Sequence, residues 1–242
     1  MKKDIEKADN KLPVDMSLSS DPYPPIEKKL RLTRRVLELL VKKGFKVQIT
    51  TKSDLFLNDM DIIERFPVVV SVTITTLDNS LASKIEPFAP TPKNRIIALE
   101  KLGELEIPFS VRIDPVIPYL NDDEKSLREI VKTVASIGAK HIVTSTYKAK
   151  PDNFKRMIKA FPELEKKWMK LYYPRGKLKL NYAYAPIEFR KKALFPVVDE
   201  AKKEGLTYAT CRENLLDKTF FNAPSCDGTH LLKQRIMKTT RH

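Results

Sequence analysis

Polar side chains that can hydrogen-bond or form ion pairs stand at the ends of four predicted strands in this sequence. Each group follows or interrupts a run of apolar, often β-branched residues. The carboxyl ends of parallel strands form the ligand-binding edge of α/β proteins, so these groups are expected to meet at one site. The candidate binding residues are, in chain order, Ser19, Ser20, Asp21, Lys52, Ser71, Thr73 and Arg112.

Each group in this set offers a different hydrogen-bonding chemistry and has a structural alternative. The Ser19–Asp21 group offers acceptors to an amine or a hydroxyl, although these residue types also serve as N-caps of a following helix. Lys52 ends an otherwise apolar strand, and burial of its ammonium is unfavourable unless it meets an anion. Arg112 suits a carboxylate through bidentate hydrogen bonds. Ser71 and Thr73 share one strand face and are also suited to packing.

Strand-length apolar runs alternate with helical patterns along the chain, and they define the elements that must position these residues. The repeat of roughly 25 to 35 residues predicts a parallel sheet or partial barrel rather than an antiparallel sandwich. The predicted strands span residues 12–18, 45–50, 68–74, 108–114 and 141–145. The predicted helices span residues 26–43, 55–65, 94–105, 124–137 and 187–204.

The pattern divides the chain into three parts. Residues 1–12 are predicted to be an N-terminal tail, residues 13–148 an incomplete barrel core, and residues 149–242 a helical and irregular extension packed on that core. The absence of a flexible Gly/Ser linker favours an extension over a separate domain.

Composition limits the class of protein. The 242 residues are 42% hydrophobic, enough for a substantial core, and carry a net charge of +14. A basic surface attracts polyanions, so nucleic acid is an expected partner, although Lys-rich solvated helices give the same charge. No long apolar run predicts a membrane span or signal peptide, and the expected compartment is the cytoplasm.

Familiar nucleotide and zinc signatures do not occur: there is no Gly-x-Gly-x-x-Gly loop, no phosphate loop and no His-Glu-x-x-His pair. His141 begins an apolar strand and is predicted to be structural rather than a ligand. The two cysteines, Cys211 and Cys226, are too few for a disulfide framework and are expected to be reduced.

Several stretches, in their order, resemble the radical S-adenosylmethionine (radical SAM) enzymes. Within that superfamily they resemble the spore photoproduct lyase branch, often labelled DNA repair photolyase-like. The resemblance covers residues 14–232. Its main stretches are Ser-Ser-Asp-Pro-Tyr-Pro-Pro-Ile-Glu at 19–27, Thr-Thr-Lys-Ser at 50–53, Ile-Glu-Pro-Phe-Ala-Pro at 85–90, Arg-Ile-Asp-Pro-Val-Ile-Pro at 112–118, Cys-Arg-Glu at 211–213 and Ser-Cys-Asp-Gly-Thr-His-Leu at 225–231.

The resemblance implies an α/β fold, a partial (βα)6 TIM-like barrel. Members of the family hold a 4Fe-4S cluster through a Cys-x-x-x-Cys-x-x-Cys motif after the first strand, and this sequence contains no such motif. Its first recognisable strand corresponds to the family's second, so the first βα unit with the cluster loop is expected to be missing.

The resemblance also implies S-adenosylmethionine as the cofactor. It places Ser20, with Ser19 and Asp21, near the methionine amine, Lys52 near its carboxylate and Ser71 near the ribose, with Arg112 a weaker candidate. Two thiols cannot replace the three of the cluster motif. For Cys211 and Cys226, a structural pair, a radical-quenching thiol and plain buried cysteines remain open.

The function implied is that of a radical SAM lyase-type enzyme, which in complete form abstracts hydrogen from a nucleic acid or other anionic substrate. This chain alone is expected to be inactive. The missing cluster loop is expected to reflect a truncated gene product or start-site error, a split enzyme whose cysteines come from a partner polypeptide, or a degenerate homologue. The alternative is a non-catalytic, degenerate homologue that binds nucleic acid or an adenosyl ligand.

Overall fold

The computed structural model describes residues 2–16, 20–174 and 181–239. Within these ranges, six parallel strands form one sheet whose strand order follows the chain, which leaves β1 and β6 at its edges. The strands are Val14–Met16 (β1), Val47–Thr51 (β2), Val68–Thr73 (β3), Phe109–Val116 (β4), His141–Thr146 (β5) and Thr207–Thr210 (β6).

Helices connect successive strands, as parallel pairing requires. Among the described helices, none combines the length and the apolarity needed to cross a membrane. They are Lys2–Lys7 (α1), Glu27–Leu30 (α2), Leu32–Lys42 (α3), Met60–Arg65 (α4), Asn79–Ile85 (α5), Pro92–Glu104 (α6), Glu124–Ser136 (α7), Pro151–Ala160 (α8), Glu165–Tyr172 (α9), Ile187–Lys203 (α10) and Leu232–Thr239 (α11). Single 3₁₀ turns occur at Leu55–Asp59, Pro162–Leu164 and Thr229–Leu231.

One face of the sheet carries the main hydrophobic core. Alternate strand residues such as Val70 and Val111 point to this face and pack against the helices, for example against Leu99 of α6, Val131 of α7 and Val197 of α10. All five are fully buried. Burial of each such aliphatic side chain contributes roughly 1.5–3 kcal/mol, so the apolar periodicity determines which face the helices cover.

The opposite, inner face of the sheet is polar and is covered by residues 225–235, here called the closing segment. Leu231 and Leu232 of this segment pack on Val69 of β3. The Arg235 guanidinium donates hydrogen bonds to the backbone carbonyls of Ile63 and Glu64. The closing segment thus lies across the inner face as far as β3, and every residue of this strand is buried.

A second hydrophobic core lies in the extension. Phe154 of α8 packs with Trp168 and Tyr172 of α9. The Trp168 indole N–H donates to the carbonyl of Pro118 at 2.9 Å, and the Tyr172 hydroxyl donates to the carbonyl of Tyr147 at 2.9 Å. The aromatic residues therefore attach the extension to the loops that follow β4 and β5.

Three local features differ from the sequence-based expectations. The helix expected over residues 26–43 is broken at Arg31, whose φ is 49°, and the buried Glu27 carboxylate instead accepts a hydrogen bond from the Thr33 N–H, near the start of α3. A sixth strand, β6, joins the sheet from within the predicted extension. Helix α5, capped by the Asp78 carboxylate, occupies part of a segment expected to be a connection.

Candidate functional site

A row of polar side chains crosses the inner face of the sheet. The register of the strands aligns one residue from each of β2 to β6. Three of the five, Ser71, Ser110 and His141, are fully buried. In strand order the row contains Thr50, Ser71, Ser110, His141 and Thr207.

A cavity of about 650 Å³ opens at the carboxyl ends of the strands, here called the strand-end cavity. Its volume falls within the range of roughly 300–1,000 Å³ typical of small-molecule sites. Its walls combine cations, carboxylates and hydroxyls. The charged lining residues are Asp15, Asp21, Lys52, Arg112, Asp114, Arg212 and Asp227, and Ser20, Thr50, Thr51, Thr73, Pro115 and Cys211 complete the lining.

The structure brings most of the sequence-predicted residues to this cavity. Ser20, Asp21, Lys52, Thr73 and Arg112 all line it. Their common location results from the parallel sheet, which places all strand carboxyl ends at one edge.

Two of the predicted residues do not line the cavity. Ser71 lies in the buried row, and its hydroxyl has no hydrogen-bond partner among the described residues. Ser19 falls outside the described residues.

Asp21 joins the loop after β1 to the end of β2. One carboxylate oxygen accepts the Thr51 hydroxyl at 2.6 Å and the Tyr23 N–H at 2.9 Å, and the other accepts the Lys52 N–H at 2.6 Å. Because three donors of its own chain already occupy this carboxylate, its main role is to fix the loop and the strand end relative to each other.

Lys52 is half-exposed rather than buried, with 38% of its side chain accessible. Its ammonium lies 3.9 Å from Glu86, whose other carboxylate oxygen lies 2.6 Å from the buried guanidinium of Arg95. Arg95 also donates to the carbonyls of Thr73 and Pro90. Glu86 is therefore held mainly by Arg95, and the Lys52 ammonium remains accessible from the strand-end cavity.

Arg112 and Asp114 form an ion pair at the end of β4, with nitrogen and oxygen 2.7 Å apart. The second oxygen of Asp114 accepts the Ser145 hydroxyl at 2.5 Å. Burial alone would raise the pKa of Asp114, but the Arg112 charge and the Ser145 hydrogen bond outweigh it, and the pKa lies below its usual value. Arg112 is thus engaged by a carboxylate of its own strand.

Asp15 has the opposite electrostatic environment. Burial, reinforced by repulsion from the Asp227 carboxylate, raises its pKa, and the Thr50 hydroxyl and Arg112 only partly oppose this. The cavity therefore contains carboxylates of different proton affinity, with the pKa of Asp114 below and that of Asp15 above the ordinary value.

The two cysteines lie together beside the cavity. Cys211 is half-buried and Cys226 is exposed, so the alternative of plain buried cysteines is wrong. A hydrogen bond from the Cys226 thiol, opposed by burial and aided by Arg112, lowers the pKa of Cys211 to about 6. The same contact, together with burial, raises the pKa of Cys226.

His141 lies beneath the cavity and acts as a structural imidazole. Its Nδ1 lies 2.9 Å from the Thr207 hydroxyl, and its ring packs edge-on against His230 with centroids 4.9 Å apart. Burial, aided by the His230 charge, lowers the pKa of His141 to about 4. The imidazole is therefore neutral at pH 7.

Two exposed tyrosines form an aromatic rim next to the cavity. Tyr182 and Tyr184 flank Ala183, whose backbone pairs with Ala149 in an antiparallel bridge, so both rings lie on one side of an extended segment. Lys150 lies 4.3 Å and Arg212 5.9 Å from the Tyr182 ring centre.

Beneath Tyr184, a buried carboxylate holds two further cations. Lys148 lies 5.7 Å and Arg190 5.3 Å from the ring centre of Tyr184. Both cations bind the carboxylate of Glu213, at 2.8 Å and 2.9 Å respectively. Thr146 donates to the same carboxylate through its N–H at 2.8 Å. The aromatic rim, namely Tyr182 and Tyr184 with Lys148, Lys150, Arg190 and Arg212, is thus built on a fixed charge network.

Sequence reasoning missed several lining residues. Asp15 precedes the polar group at the end of β1, and Asp227 lies more than two hundred residues later, in the closing segment. The signal for Asp114 was present, since it stands two residues after Arg112 on one strand face. Asp227 lies in the stretch 225–231 that contributed to the resemblance, but nothing in that stretch placed it at the cavity, because its position depends on how the closing segment crosses the sheet.

Comparison with known proteins gives partial matches. No established family profile matches the sequence. An uncharacterized protein, MJ0683, of Methanocaldococcus jannaschii is 43% identical over 115 residues, which are 47% of this chain and 44% of that protein. Uncharacterized protein ORF301 of Acidianus two-tailed virus is 34% identical over 134 residues, 53% of this chain and 44% of that protein. The chain therefore matches less than half the length of these relatives.

The fold is similar to several solved structures at low sequence identity. A variant of spore photoproduct lyase with bound AdoMet and a dinucleoside spore photoproduct aligns with a TM-score of 0.65 at 13% identity, over 91% of this chain and 64% of that one. SuiB of Streptococcus suis bound to S-adenosylmethionine gives 0.52 at 14% identity, over 80% and 39%. A domain of pyruvate-formate lyase-activating enzyme from Bacteroides vulgatus gives 0.56 at 13% identity, over 82% and 98%. The chain therefore shares the α/β fold of these radical SAM enzymes, with parallel strands alternating with helices.

The residues of this chain do not suit a 4Fe-4S cluster. Such a cluster needs three or four thiolates, and the sequence has two cysteines, which are close together beside β6. Among the described residues, no group of three His, Cys, Asp or Glu side chains is arranged to hold a metal ion. S-adenosylmethionine fits better, because its carboxylate, ammonium and sulfonium groups need the cations and carboxylates that line the strand-end cavity together.

Proposed function

We propose that this chain is the S-adenosylmethionine-binding core of a radical SAM protein of the spore photoproduct lyase-like branch. The observation that carries the proposal is the strand-end cavity, which combines a half-exposed lysine with several carboxylates in a space of small-ligand size. The shared α/β fold supports it, since two of the structural neighbours bind this cofactor.

In this proposal, Lys52 binds the methionine carboxylate, because its ammonium is accessible and is shared only weakly with Glu86. Ser20 and Asp15 both line the cavity and accept hydrogen bonds from the methionine amine. They are better partners for this amine than Asp21, whose carboxylate already accepts hydrogen bonds from its own chain. Thr73 lines the cavity, whereas Ser71 lies below it, so Thr73 is the better ribose partner. When reduced, the cofactor supplies a 5′-deoxyadenosyl radical for hydrogen abstraction.

The chain on its own binds the cofactor without cleaving it. Reductive cleavage needs an iron-sulfur cluster, and the two cysteines of this sequence cannot supply its thiolates. A cluster for the complete activity has to be held by cysteines outside this sequence, in a further segment or a partner polypeptide. The residues of this chain orient the cofactor and shape the cavity.

The substrate proposed is a nucleic acid. Tyr182 and Tyr184 are each 41% exposed, on one side of an extended segment, and four cations surround their rings. Aromatic faces stack on bases, and Lys150 and Arg212, the two cations that are not bound to Glu213, are available to phosphates. Arg212 belongs both to this rim and to the wall of the strand-end cavity, so a bound nucleotide would lie beside the cofactor.

Isothermal titration calorimetry with S-adenosylmethionine tests the cofactor site. Lys52→Ala should weaken binding about tenfold or more, because it removes a charged hydrogen-bond donor to the carboxylate. Its melting temperature should remain close to that of the unchanged protein, since Lys52 is half-exposed. The matched control is Lys159→Ala, an exposed lysine on α8, which should bind normally.

Two results would reject the cofactor proposal. One is no heat of binding at any cofactor concentration by a protein that is folded by circular dichroism. The other is an equal loss of affinity in both lysine variants, which would indicate general charge attraction in place of a defined site.

A further inference from the structure

The two cysteines are brought together from distant parts of the fold. Cys211 directly follows β6, and its N–H donates to the carbonyl of Thr144 on the neighbouring strand at 2.9 Å. Cys226 lies in the closing segment, and its thiol lies within hydrogen-bonding reach of the Cys211 sulfur. Both are free thiols in the structure.

Hydrogen bonds on both sides of Cys226 hold it against Cys211. The Asp227 carbonyl accepts a bond from the Gln48 side chain of β2 at 3.0 Å, and the Asp227 carboxylate accepts the Thr229 N–H at 2.9 Å. The Ser225 hydroxyl accepts the His230 N–H at 3.1 Å. The closing segment therefore holds the backbone on both sides of Cys226 in place.

The environments of the two sulfurs differ in a way that suits thiol exchange. Cys211 lines the strand-end cavity near Arg112, where a small molecule can reach it, and the Cys226 thiol donates a hydrogen bond to it. Cys226 is exposed and has the less acidic thiol. A thiolate attacks disulfides, whereas a thiol does not, and Cys211 is the sulfur that lines the cavity together with the cation Arg112, so Cys211 is the attacking group and Cys226 the resolving group.

We propose that Cys211 and Cys226 form a redox-active dithiol that closes to an intramolecular disulfide by exchange with a low-molecular-weight disulfide such as oxidised glutathione. The Cys211 thiolate attacks one sulfur of the small disulfide and expels one small thiolate, giving a mixed disulfide. Cys226 then attacks the Cys211 sulfur, its proton passes to the released thiolate, and the second small thiolate leaves. The protein loses two hydrogens, and the small disulfide becomes two thiols.

Closure changes the strand-end cavity directly. It removes the negative charge of Cys211 from beside Arg112 and Asp114, and it ties the closing segment to the end of β6. The cavity therefore exists in a dithiol form and a disulfide form. The two forms differ in net charge and in how firmly the closing segment is attached to the end of β6. This inference does not depend on the ligand proposed above.

The test is incubation of the folded protein with oxidised glutathione, followed by mass spectrometry under non-reducing conditions. The unchanged chain should lose the mass of two hydrogens and recover it with dithiothreitol. Because the sequence has only two cysteines, Cys226→Ser leaves Cys211 without a resolving thiol and should accumulate a mixed disulfide, one glutathione per chain. Cys211→Ser should react much more slowly.

A second measurement separates an ordered disulfide from accidental oxidation. Closing a loop of this length should raise the melting temperature by roughly 5 to 10 °C in the oxidised protein, with no change in either serine variant after the same treatment. Three results would overturn the proposal: mixed disulfides on both cysteines of the unchanged chain, disulfide-linked dimers as the main product, or an oxidised protein less stable than the reduced one.

Discussion

The buried Glu213 carboxylate is the residue on which the aromatic rim depends. It is 1% exposed and balances Lys148 and Arg190. Glu213→Gln should destabilise the fold by about 3–5 kcal/mol, because two cations are then left buried without a counter-charge. Urea unfolding measures this, with the exposed Glu188→Gln of α10 as the control, which should change stability by less than about 0.5 kcal/mol. Equal effects in the two variants would contradict a buried network.

His141 should make the stability of the protein depend on pH. Its pKa is about 4 in the fold and 6.5 when unfolded, so the native state binds fewer protons between these values. Its contribution is therefore complete above pH 6.5 and is lost as the pH falls towards 4, by up to about 3 kcal/mol. Urea unfolding at pH 7.5 and 4.5 should show a smaller pH effect for His141→Gln. An identical pH effect in both proteins would exclude His141 as its source.

At the residue scale, strand periodicity alone was enough to predict which side chains lie at the carboxyl ends of the strands. Lys52, Thr73 and Arg112 are at the cavity because each stands at or near the carboxyl end of a parallel strand. The sequence did not predict their partners. Arg112 forms an ion pair with Asp114. The Asp21 carboxylate accepts hydrogen bonds from backbone N–H groups and a hydroxyl of its own chain. These contacts depend on side-chain direction and local turns, which strand periodicity does not predict.

At the scale of elements, the closing segment packs so tightly on the sheet that a glycine is needed. Gly228 has a φ of 93°, and a Cβ there would lie 2.9 Å from the Ser110 hydroxyl and 3.4 Å from His141. Gly228→Ala should therefore destabilise the protein by about 3 kcal/mol, from backbone strain plus overpacking.

Gly205 provides the matched control for this substitution. Its φ is also positive, at 70°, but a Cβ there would have no atom of the described residues within 4 Å beyond its chain neighbours. Gly205→Ala should lower the free energy of unfolding only by the cost of backbone strain, about 1 kcal/mol. Thermal unfolding of the two variants gives the difference, and equal losses would mean that the closing segment is not packed closely on Ser110.

Most elements could be predicted, since five strands and their intervening helices follow the apolar periodicity. The sixth strand could not, because Thr207–Thr210 is only four residues long and its pairing with β5 is a tertiary contact. The break at Arg31 also escaped prediction, since it depends on the buried Glu27 carboxylate near the start of α3. Local propensity determines the elements, whereas their ends depend on contacts across the fold.

At the scale of the molecule, the charge of +14 and the aromatic rim predict salt-sensitive binding of single-stranded nucleic acid. Phosphate contacts by Lys150 and Arg212, the two rim cations that are not bound to Glu213, should reduce affinity roughly sevenfold between 50 and 200 mM salt. Replacing both rim tyrosines, Tyr182→Ala with Tyr184→Ala, should weaken binding about tenfold through lost stacking. Fluorescence anisotropy with a labelled oligonucleotide measures both effects.

Phe195→Ala is the control for the tyrosine pair. Phe195 is 45% exposed, on α10, and takes no part in the rim. Its loss should leave the affinity unchanged. Salt-insensitive binding would contradict the phosphate contacts, and an equal loss in the phenylalanine variant would show that the tyrosines are not a specific stacking surface.

The closing segment has a consequence for how the protein is made. Residues 225–235 follow all six strands in the chain, yet they cover the inner polar face as far as β3 and complete the cavity wall with Asp227. During synthesis, the helices can pack on the outer face of the sheet as each βα unit leaves the ribosome. The inner face remains exposed to solvent until the closing segment emerges. The strand-end cavity is therefore completed only after the outer face has folded, because its Asp227 wall is made last.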